Sequence, residues 1–157
     1  MARQPLTRER IIGAASDVAD RGGVAAVTMR SVAKELGVEA MSLYHHLAGK
    51  DALIDALVEH VFTQILLPDP GTSWRAALVA RADSAREILT RHPWGLGLIE
   101  SRRHPPASMI RHYDTMLGIL RAGGFSVRDA VHAYSVVDSY VFGFVVTEIN
   151  LPMTSGE

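Results

Sequence analysis

The side chains best suited to bind a polar partner are concentrated between residues 28 and 50. They carry hydroxyl, imidazole, guanidinium and ammonium groups, from Thr28, Arg30, Ser42, Tyr44, His45, His46 and Lys50. Hydroxyl and basic groups of this kind donate hydrogen bonds to phosphate oxygens. His45 and His46 do not predict a metal site, because neighbouring positions on a helix diverge by about 100° and do not share an ion.

The sequence carries none of the common motifs of an enzyme active site or a thiolate metal site. The chain has 157 residues, seven histidines and no cysteine, which excludes disulfides, thiolate metal sites and cysteine nucleophiles. The sequence contains no His-Glu-x-x-His, Gly-x-Ser-x-Gly or phosphate-loop motif. We therefore predict no enzyme activity, no catalytic residue, no metal ligand and no cofactor. The rival interpretation is a metal hydrolase, which stoichiometric zinc in the purified protein would support.

Length, charge and hydropathy narrow the class further. The length fits one or two domains, and an apolar fraction of 48% is typical of a soluble globular protein. The start lacks an apolar signal-peptide region, and the longest apolar run, Tyr140 to Val146, is shorter than the roughly 20 residues that span a bilayer. We expect a cytoplasmic protein without a membrane partner. Residues 1–50 carry seven basic and five acidic side chains, an excess of the sign that favours nucleic acid.

Helical periodicity predicts four helices in the first part of the chain. The first runs from Thr7, as N-cap, to about Asp20, before Gly22-Gly23. The second follows the N-cap candidate Thr28 and ends at Gly37. The third covers 39–46 and the fourth about 50–66, with apolar residues on one face of each long helix.

The remainder also predicts helices, so the fold class is all-α. A loop at residues 67–73, with two prolines and a glycine, separates the two parts. Helices follow at about 74–90, 106–122 and 126–151, the last with Ser126 as its N-cap, and a short helix is expected between 94 and 101. No convincing alternating strand pattern or hairpin signal is present.

The shortness of the third helix suggests its use. Two short helices joined by a tight turn at Gly37 form a helix-turn-helix. Val38, Leu43 and Leu47 can anchor the second of them, while its other side chains point outward and are small or hydrogen-bonding. A helix of this shape fits the major groove of B-DNA, where its first turn reaches base edges. The segment is then short because DNA supplies part of the surface that it contacts.

The stretch "VTMRSVAKELGVEAMSLYHHLAGKDALIDAL", residues 27–57, resembles the TetR family of bacterial transcriptional repressors. Its marks are a Thr-x-Arg entry, a Gly-Val turn, Leu-Tyr-x-His and a Lys that opens the next helix. "SWRAAL" and "AGGFSVRDAVHAYSVVDSYVFGFVV" resemble the ligand-binding half of the tetracycline-repressor type. The resemblance implies a three-helix DNA-binding domain at residues 1–49 and a helical ligand-binding and dimerisation domain at 50–157.

The resemblance also implies roles for single residues. Those that contact DNA by carry-over are Thr28, Arg30, Ala40, Met41, Ser42, Tyr44, His45 and Lys50. Arg30 is the best candidate for a guanine, because its fork matches the O6 and N7 acceptors. The partner would be a near-palindromic double-stranded operator, bound by a homodimer that forms through helix 126–151. Whether a further dimerisation helix follows Glu157 stays open.

The ligand-binding half is expected to enclose a small-molecule effector. The residues that would line its cavity are Trp94, Tyr113, Met116, Val131, Tyr134, Ser135 and Asp138. Tetracycline-type relatives bind a magnesium–drug complex through a histidine and a carboxylate, but those positions fall here at Ile99 or Glu100 and at Thr147. We therefore expect a different, less polar organic ligand. The implied function is a repressor that this ligand releases from its operator; the second rival is a helical dimer without DNA binding.

Overall fold

A computed structural model describes residues 5–101 and 104–151, and all regular structure within them is helical. This confirms the all-α prediction. The helices are α1 (Arg8–Gly22), α2 (Met29–Leu36), α3 (Ala40–Tyr44), α4 (Lys50–Gln64), α5 (Trp74–Arg91), α6 (Trp94–Ser101), α7 (Ala107–Ala122) and α8 (Val127–Asn150). A 3-10 turn at Val24–Ala26, which the sequence pattern did not predict, joins α1 to the segment before α2.

Short polar side chains begin three of these helices. The Thr7 hydroxyl accepts a hydrogen bond from the Arg10 backbone N–H at 3.3 Å, and the Ser126 hydroxyl accepts one from the Asp129 N–H at 3.1 Å. Both satisfy amide groups that lack a partner inside the helix. The three N-caps predicted from sequence are therefore confirmed, the third being Thr28 on α2.

Gly37 makes the turn between α2 and α3. It adopts the left-handed conformation, with φ 64° and ψ 36°, and its backbone N–H bonds to the carbonyls at the end of α2. A side chain with a Cβ would be strained there, whereas glycine is not. The turn is tight enough for α3 to begin three residues after Gly37.

One apolar core extends from the first helix to the last. Buried residues of α1, α2 and α3 pack with one face of α4, and that face continues onto α5, α6 and the end of α8. A second, smaller cluster joins α5, α7 and the first half of α8 around Met116, Leu120 and Tyr134. We call α1–α3 the front helices, or the head, and α5–α8 the body. Because α4 contacts both, a movement of α4 relative to the body would carry the front helices with it.

Among the described helices, α8 is long and apolar enough to cross a membrane by length and composition. It nevertheless packs along α5 and α7 and buries Tyr134, Asp138 and Val145 against them. Its Asp138 is held in an ion pair inside the bundle. These contacts are those of a helix in a folded bundle, and its apolar outer stripe calls for a separate explanation.

Candidate nucleic-acid interface and effector site

The helix-turn-helix presents α3 to solvent on a buried anchor. Leu43 is completely buried and Leu47 nearly so, and both join the core that α1, α2 and α4 form. Met41 and Tyr44, one turn of helix apart, have exposed fractions of 71% and 48%. The five residues of α3 thus have one anchored side and one open side, as insertion into a groove requires.

The other predicted DNA contacts surround this open side. Thr28, Arg30, His45 and Lys50 are exposed, while Ala40 and Ser42 are half-buried. The Thr28 hydroxyl is already used within the protein: it accepts the Ser31 backbone N–H at 3.0 Å, and the Ser31 hydroxyl accepts the Thr28 N–H at 2.9 Å. This reciprocal cap fixes the start of α2, so any contact of Thr28 with DNA would be additional to a structural role.

Lys50 lies at the first position of α4, where the partial positive charge of the helix dipole makes a cation unfavourable by a few tenths of a kcal/mol. Asp51 next to it offsets part of that cost. An exposed lysine at a helix N-terminus is well placed for a phosphate, because the ammonium group and the free backbone N–H groups attract the same anion. The contact remains a prediction.

The body contains a polar cluster at the positions predicted to bind a ligand. Arg81 on α5 makes a two-point contact with the Asp138 carboxylate on α8, through Nη1 to Oδ1 and through Nη2 to Oδ2 at 3.3 Å. The Arg81 guanidinium carbon also lies 4.8 Å from the centre of the Tyr134 ring. Tyr113 on α7 meets Tyr134 edge-to-face, with ring centres 4.7 Å apart. Three helices therefore contribute to one buried polar and aromatic cluster, with Met116 completely buried nearby.

His112 on α7 extends this cluster toward α4. Its exposed fraction is 3%. Burial and then the nearby Arg81 charge lower the pKa of His112, against a hydrogen bond to the Phe62 carbonyl of α4, which raises it. Among the described residues, the Arg81 Nε, His112 Nδ1 and Tyr134 hydroxyl atoms are buried without a hydrogen-bond partner, although the Tyr134 hydroxyl lies beside the Asp138 carboxylate. Since buried polar atoms are almost always paired, three such atoms in one cluster are unusual.

Burial acts on the acidic members of the cluster as well. It raises the pKa of Asp138, while the Arg81 guanidinium and the Tyr134 hydroxyl oppose that change. It also raises the pKa of Tyr134, whose hydroxyl lies beside Asp138. The phenol groups therefore stay protonated, and the charge of Arg81 is balanced within the protein by Asp138.

Two groups of polar contacts connect α4 and α1 to the body. On α4, Glu59 accepts hydrogen bonds from the Ser108 N–H at 3.0 Å, the Ser108 hydroxyl at 2.8 Å and Arg111 at 3.0 Å, all at the start of α7. Burial raises the pKa of Glu59, but the hydrogen bonds from Ser108 and then the Arg111 guanidinium outweigh it and keep that pKa below its usual value. One turn along α4, the Phe62 carbonyl bonds to His112. We call this set of contacts between α4 and α7 the polar seam.

The second contact places Trp94 differently from its prediction. The Trp94 indole N–H donates to Asp20 of α1 at 2.6 Å, and His92 Nδ1 lies 2.8 Å from the same carboxylate oxygen. Trp94 packs with the main core rather than with the cluster around Tyr134. The structure therefore groups Trp94 with α1, because an indole N–H that is partly buried takes the nearest carboxylate.

The remaining predicted cavity residues lie at the edge of the cluster. Val131 is 40% exposed and Ser135 is half-buried. The Ile99 side chain is half-buried, and the side chain of Glu100 is outside the described part. The residues that the structure brings together are thus Tyr113, Met116, Tyr134 and Asp138.

Sequence reasoning missed Arg81, His112, Glu59 and His92. Arg81 had a usable signal: it occupies the same face of α5 as the buried Ala77 and Ala85, four residues away on either side. Small neighbours on a buried face leave room for one long side chain. A lone arginine between two alanines could also be an ordinary surface residue, so the sequence does not decide between them.

The outer face of α8 is apolar and open. Val136, Tyr140 and Phe144, on successive turns, have exposed fractions of 68%, 70% and 45%. With α5 they form a groove, bordered by Arg86, whose guanidinium binds Glu148 in two places. A contiguous apolar patch with a charged border is typical of a protein–protein contact.

No group of three or more metal-ligating side chains occurs among the described residues. Two family models match the chain. That for bacterial regulatory proteins of the tetR family covers residues 11–57, and that for the tetracyclin repressor-like C-terminal domain covers residues 67–156. The chain is 34% identical over 144 residues to an HTH-type transcriptional regulator of Saccharopolyspora erythraea, and the alignment covers 91% of this chain and 61% of that protein. The chain thus spans less than two thirds of that regulator's length.

Solved structures give the same assignment. The chain is similar to ActR of Streptomyces coelicolor in complex with actinorhodin, with 26% identity, a TM-score of 0.79 and coverage of 94% of this chain and 70% of that one. It is also similar to BioQ bound to its double-stranded DNA operator, with 28% identity, a TM-score of 0.76 and coverage of 94% and 90%. With a matching helix-turn-helix and a matching body that covers more than half of its length, the chain belongs to the TetR family of bacterial transcriptional regulators.

Proposed function

We propose that the protein is a transcriptional repressor that binds an operator as a homodimer and leaves it when a small organic molecule enters the body. The observation that carries the proposal is the two-sided α3, with Leu43 fully buried and Met41 and Tyr44 open to solvent. A helix held from one side only, beside exposed Arg30, His45 and Lys50, offers apolar, hydroxyl and basic groups to one partner. DNA is the partner whose major groove and phosphates need that combination.

The homodimer is proposed to form through the outer face of α8. The exposed Val136, Tyr140 and Phe144 would be covered by the same face of a second copy, as a two-fold interface requires. Two heads would then contact half-sites about 34–36 Å apart, one turn of DNA. Relatives of this kind set the precedent, since the BioQ structure is described with its double-stranded DNA operator.

The effector is proposed to act through the polar seam. Tyr113, Tyr134 and Asp138 lie on the helices that would contact the ligand, and His112 links the same cluster to Phe62 on α4. A ligand that fits only one arrangement of α7 would shift the position of α4 and with it the heads. The effect can be no larger than the difference in the ligand's affinity for the two arrangements. ActR, which was solved with actinorhodin, is a related protein with a bound organic molecule.

The absence of enzyme activity and a cytoplasmic location belong to the same proposal. A regulator that contacts chromosomal DNA works where the DNA is, and the family is one of DNA-binding regulators. Stoichiometric zinc together with hydrolytic activity in the purified protein would contradict this part of the proposal.

The test is binding to labelled duplexes drawn from the gene's own upstream region, measured by fluorescence anisotropy at several salt concentrations. We expect specific binding at least about a thousand-fold tighter than binding to random DNA, with steep salt dependence. Tyr44→Ala should abolish most of it, whereas Tyr140→Ala should leave head–DNA contacts intact and instead weaken the dimer in sedimentation. Binding to no duplex, including those selected from random DNA, would favour the rival helical dimer without DNA binding.

A further inference from the structure

The buried cluster on α5, α7 and α8 holds three polar atoms without a hydrogen-bond partner among the described residues. One of them, the Tyr134 hydroxyl, lies beside the Asp138 carboxylate, which leaves Arg81 Nε and His112 Nδ1. These two atoms belong to side chains that are 2% and 3% exposed. Leaving either atom dry and unpaired is unfavourable, so each needs a water or a ligand atom beside it. The cluster can therefore form further hydrogen bonds at these two atoms, although its helices are closely packed.

Arg81 Nε and His112 Nδ1 require opposite partners. Arg81 Nε carries a hydrogen and can only donate. His112 gives its other ring nitrogen to the Phe62 carbonyl, and a histidine that donates from Nε2 while its pKa is lowered keeps Nδ1 as an acceptor. A matching molecule must therefore offer one oxygen that accepts from Arg81 and one hydroxyl or amine that donates to His112.

The charge of such a molecule is limited by the existing ion pair. Asp138 already binds both terminal nitrogens of Arg81, so the cluster carries no net charge. An anion at Arg81 Nε would bring a second negative charge close to Asp138, and a cation would meet the guanidinium without a free carboxylate. Either would add a buried charge that the cluster does not balance, which is strongly unfavourable. An uncharged molecule avoids both costs.

We infer that this cluster is the polar end of the effector site, and that the effector is an uncharged aromatic molecule with a carbonyl acceptor and a separate hydroxyl donor. The carbonyl accepts from Arg81 Nε, the hydroxyl donates to His112 Nδ1, and the ring lies against Tyr113 and Tyr134. Since His112 also holds Phe62, a bond to Nδ1 orients the same imidazole that connects α7 to α4. This inference rests on the proposed function and adds the chemical class of the ligand to it.

Three matched probes test the class on the full chain without DNA. Meta-hydroxyacetophenone has both groups and is uncharged near pH 7; meta-methoxyacetophenone lacks the donor, and meta-hydroxybenzoate is an anion. The readout is the side-chain nitrogen resonances of the histidines, which distinguish Nδ1 from Nε2. We expect the hydroxyketone to bind at least about ten-fold more tightly than either analogue, as one net hydrogen bond would produce, and to shift His112 Nδ1.

Two variants locate the binding. His112→Leu removes the acceptor, and we expect it to lower hydroxyketone affinity to that of the methoxy analogue. The double variant Arg81→Met/Asp138→Leu removes the donor while replacing both charges with apolar groups, and we expect the same loss. The matched control is His104→Leu, because His104 is exposed on the surface before α7 and should leave probe binding unchanged. Circular dichroism of each variant separates lost binding from lost folding.

Several outcomes would overturn the inference. They are no hydroxyketone binding at millimolar concentration, equal binding of all three probes, tightest binding of the benzoate, or unchanged binding in a folded His112→Leu. None of these results bears on operator binding, which is measured separately on the free protein. If the chain binds operator but fails these tests, the proposed function stands and only the ligand class is wrong. If the probes bind but no operator does, the ligand class stands and the proposed function is wrong.

Discussion

The head and the body of this protein use the same three residue types in opposite ways. The head presents Arg30, Tyr44 and His45 to solvent, while the body buries Arg81, Tyr134 and His112 among α4, α5, α7 and α8. The residue type therefore says little about the partner, and the surroundings decide it. Exposed charges can meet a highly charged macromolecule at little desolvation cost, whereas a buried charge must be balanced beforehand.

The comparison separates two kinds of recognition. In the head, the apolar anchor is Leu43, and exposed polar groups beside it can adapt to the proposed DNA partner. In the body, Asp138 holds Arg81 in place and the Phe62 carbonyl holds His112. Arg81 Nε can then only donate, and His112 Nδ1 can only accept, each in a fixed direction. The head is suited to a large surface, and the body to a small molecule with specific hydrogen-bonding groups.

The largest effect should come from removing one charge of the buried pair. Asp138→Ala leaves Arg81 buried without its carboxylate, and we expect a loss of about 3–5 kcal/mol in the free energy of unfolding. Arg30→Ala, the matched change in the head, should cost within about 0.5 kcal/mol, because Arg30 is exposed. Urea unfolding followed by circular dichroism measures both, and equal losses would remove the distinction between the two regions.

The next effect contrasts neighbours within α3. Leu43→Ala empties a fully buried position and should cost about 2–5 kcal/mol of stability, with loss of operator binding as a consequence. Tyr44→Ala should remove operator binding while stability changes by well under half as much, because about half of the Tyr44 surface is already in solvent. Urea unfolding and anisotropy on the same preparations check this pair. A Tyr44→Ala protein as unstable as Leu43→Ala would mean that Tyr44 is a core residue.

The elements that local patterns specify could be predicted from sequence. The caps at Thr7, Thr28 and Ser126 and the turn at Gly37 depend on the residues themselves and their near neighbours, so their positions followed from the sequence. The 3-10 turn at Val24–Ala26 was missed because three small apolar residues have no strong preference. Its conformation depends on how α1 and α2 pack.

The interior of the body was less predictable, because its partners come from distant parts of the chain. Arg81 and Asp138 are 57 residues apart, and Asp20 and Trp94 are 74 apart. A sequence pattern places each residue on one face of a helix, but it does not say which other helix packs against that face. Asp138 and Tyr134 were therefore predicted as cavity residues without their arginine, and Trp94 was placed at the cavity rather than beside α1.

Contacts in the head should differ in specificity. Arg30→Ala should lower affinity for the preferred operator by about 1–3 kcal/mol and relax the preference at one base pair, if its fork binds a guanine. Lys50→Ala should weaken binding to all sequences alike and reduce the salt slope by about one. Anisotropy titrations on operator and random duplexes test both. Equal losses on the two duplexes for Arg30→Ala would show that Arg30 binds phosphate instead.

The cap of α2 should have a smaller effect. Thr28→Ala removes the hydroxyl that accepts the Ser31 N–H and should cost about 1 kcal/mol of stability. Thr28→Ser keeps the hydroxyl and should restore most of that stability. If both variants lose operator affinity while only the alanine variant loses stability, Thr28 contacts DNA through its methyl group. If serine restores both, the cap alone explains the residue.

The smallest expected effect is a pH dependence of stability that originates in the body. The pKa of His112 is lowered from its usual 6.5, so below that pH the unfolded chain takes up a proton that the folded protein resists. Stability should therefore be full above about pH 6.5 and fall as the pH drops below it. His60, whose pKa burial also lowers, contributes in the same direction. His112→Leu should make urea-unfolding stability less dependent on pH between about 7 and 5. An unchanged slope in His112→Leu would place the proton uptake on His60. It would also mean that the folded protein does not resist protonation of His112.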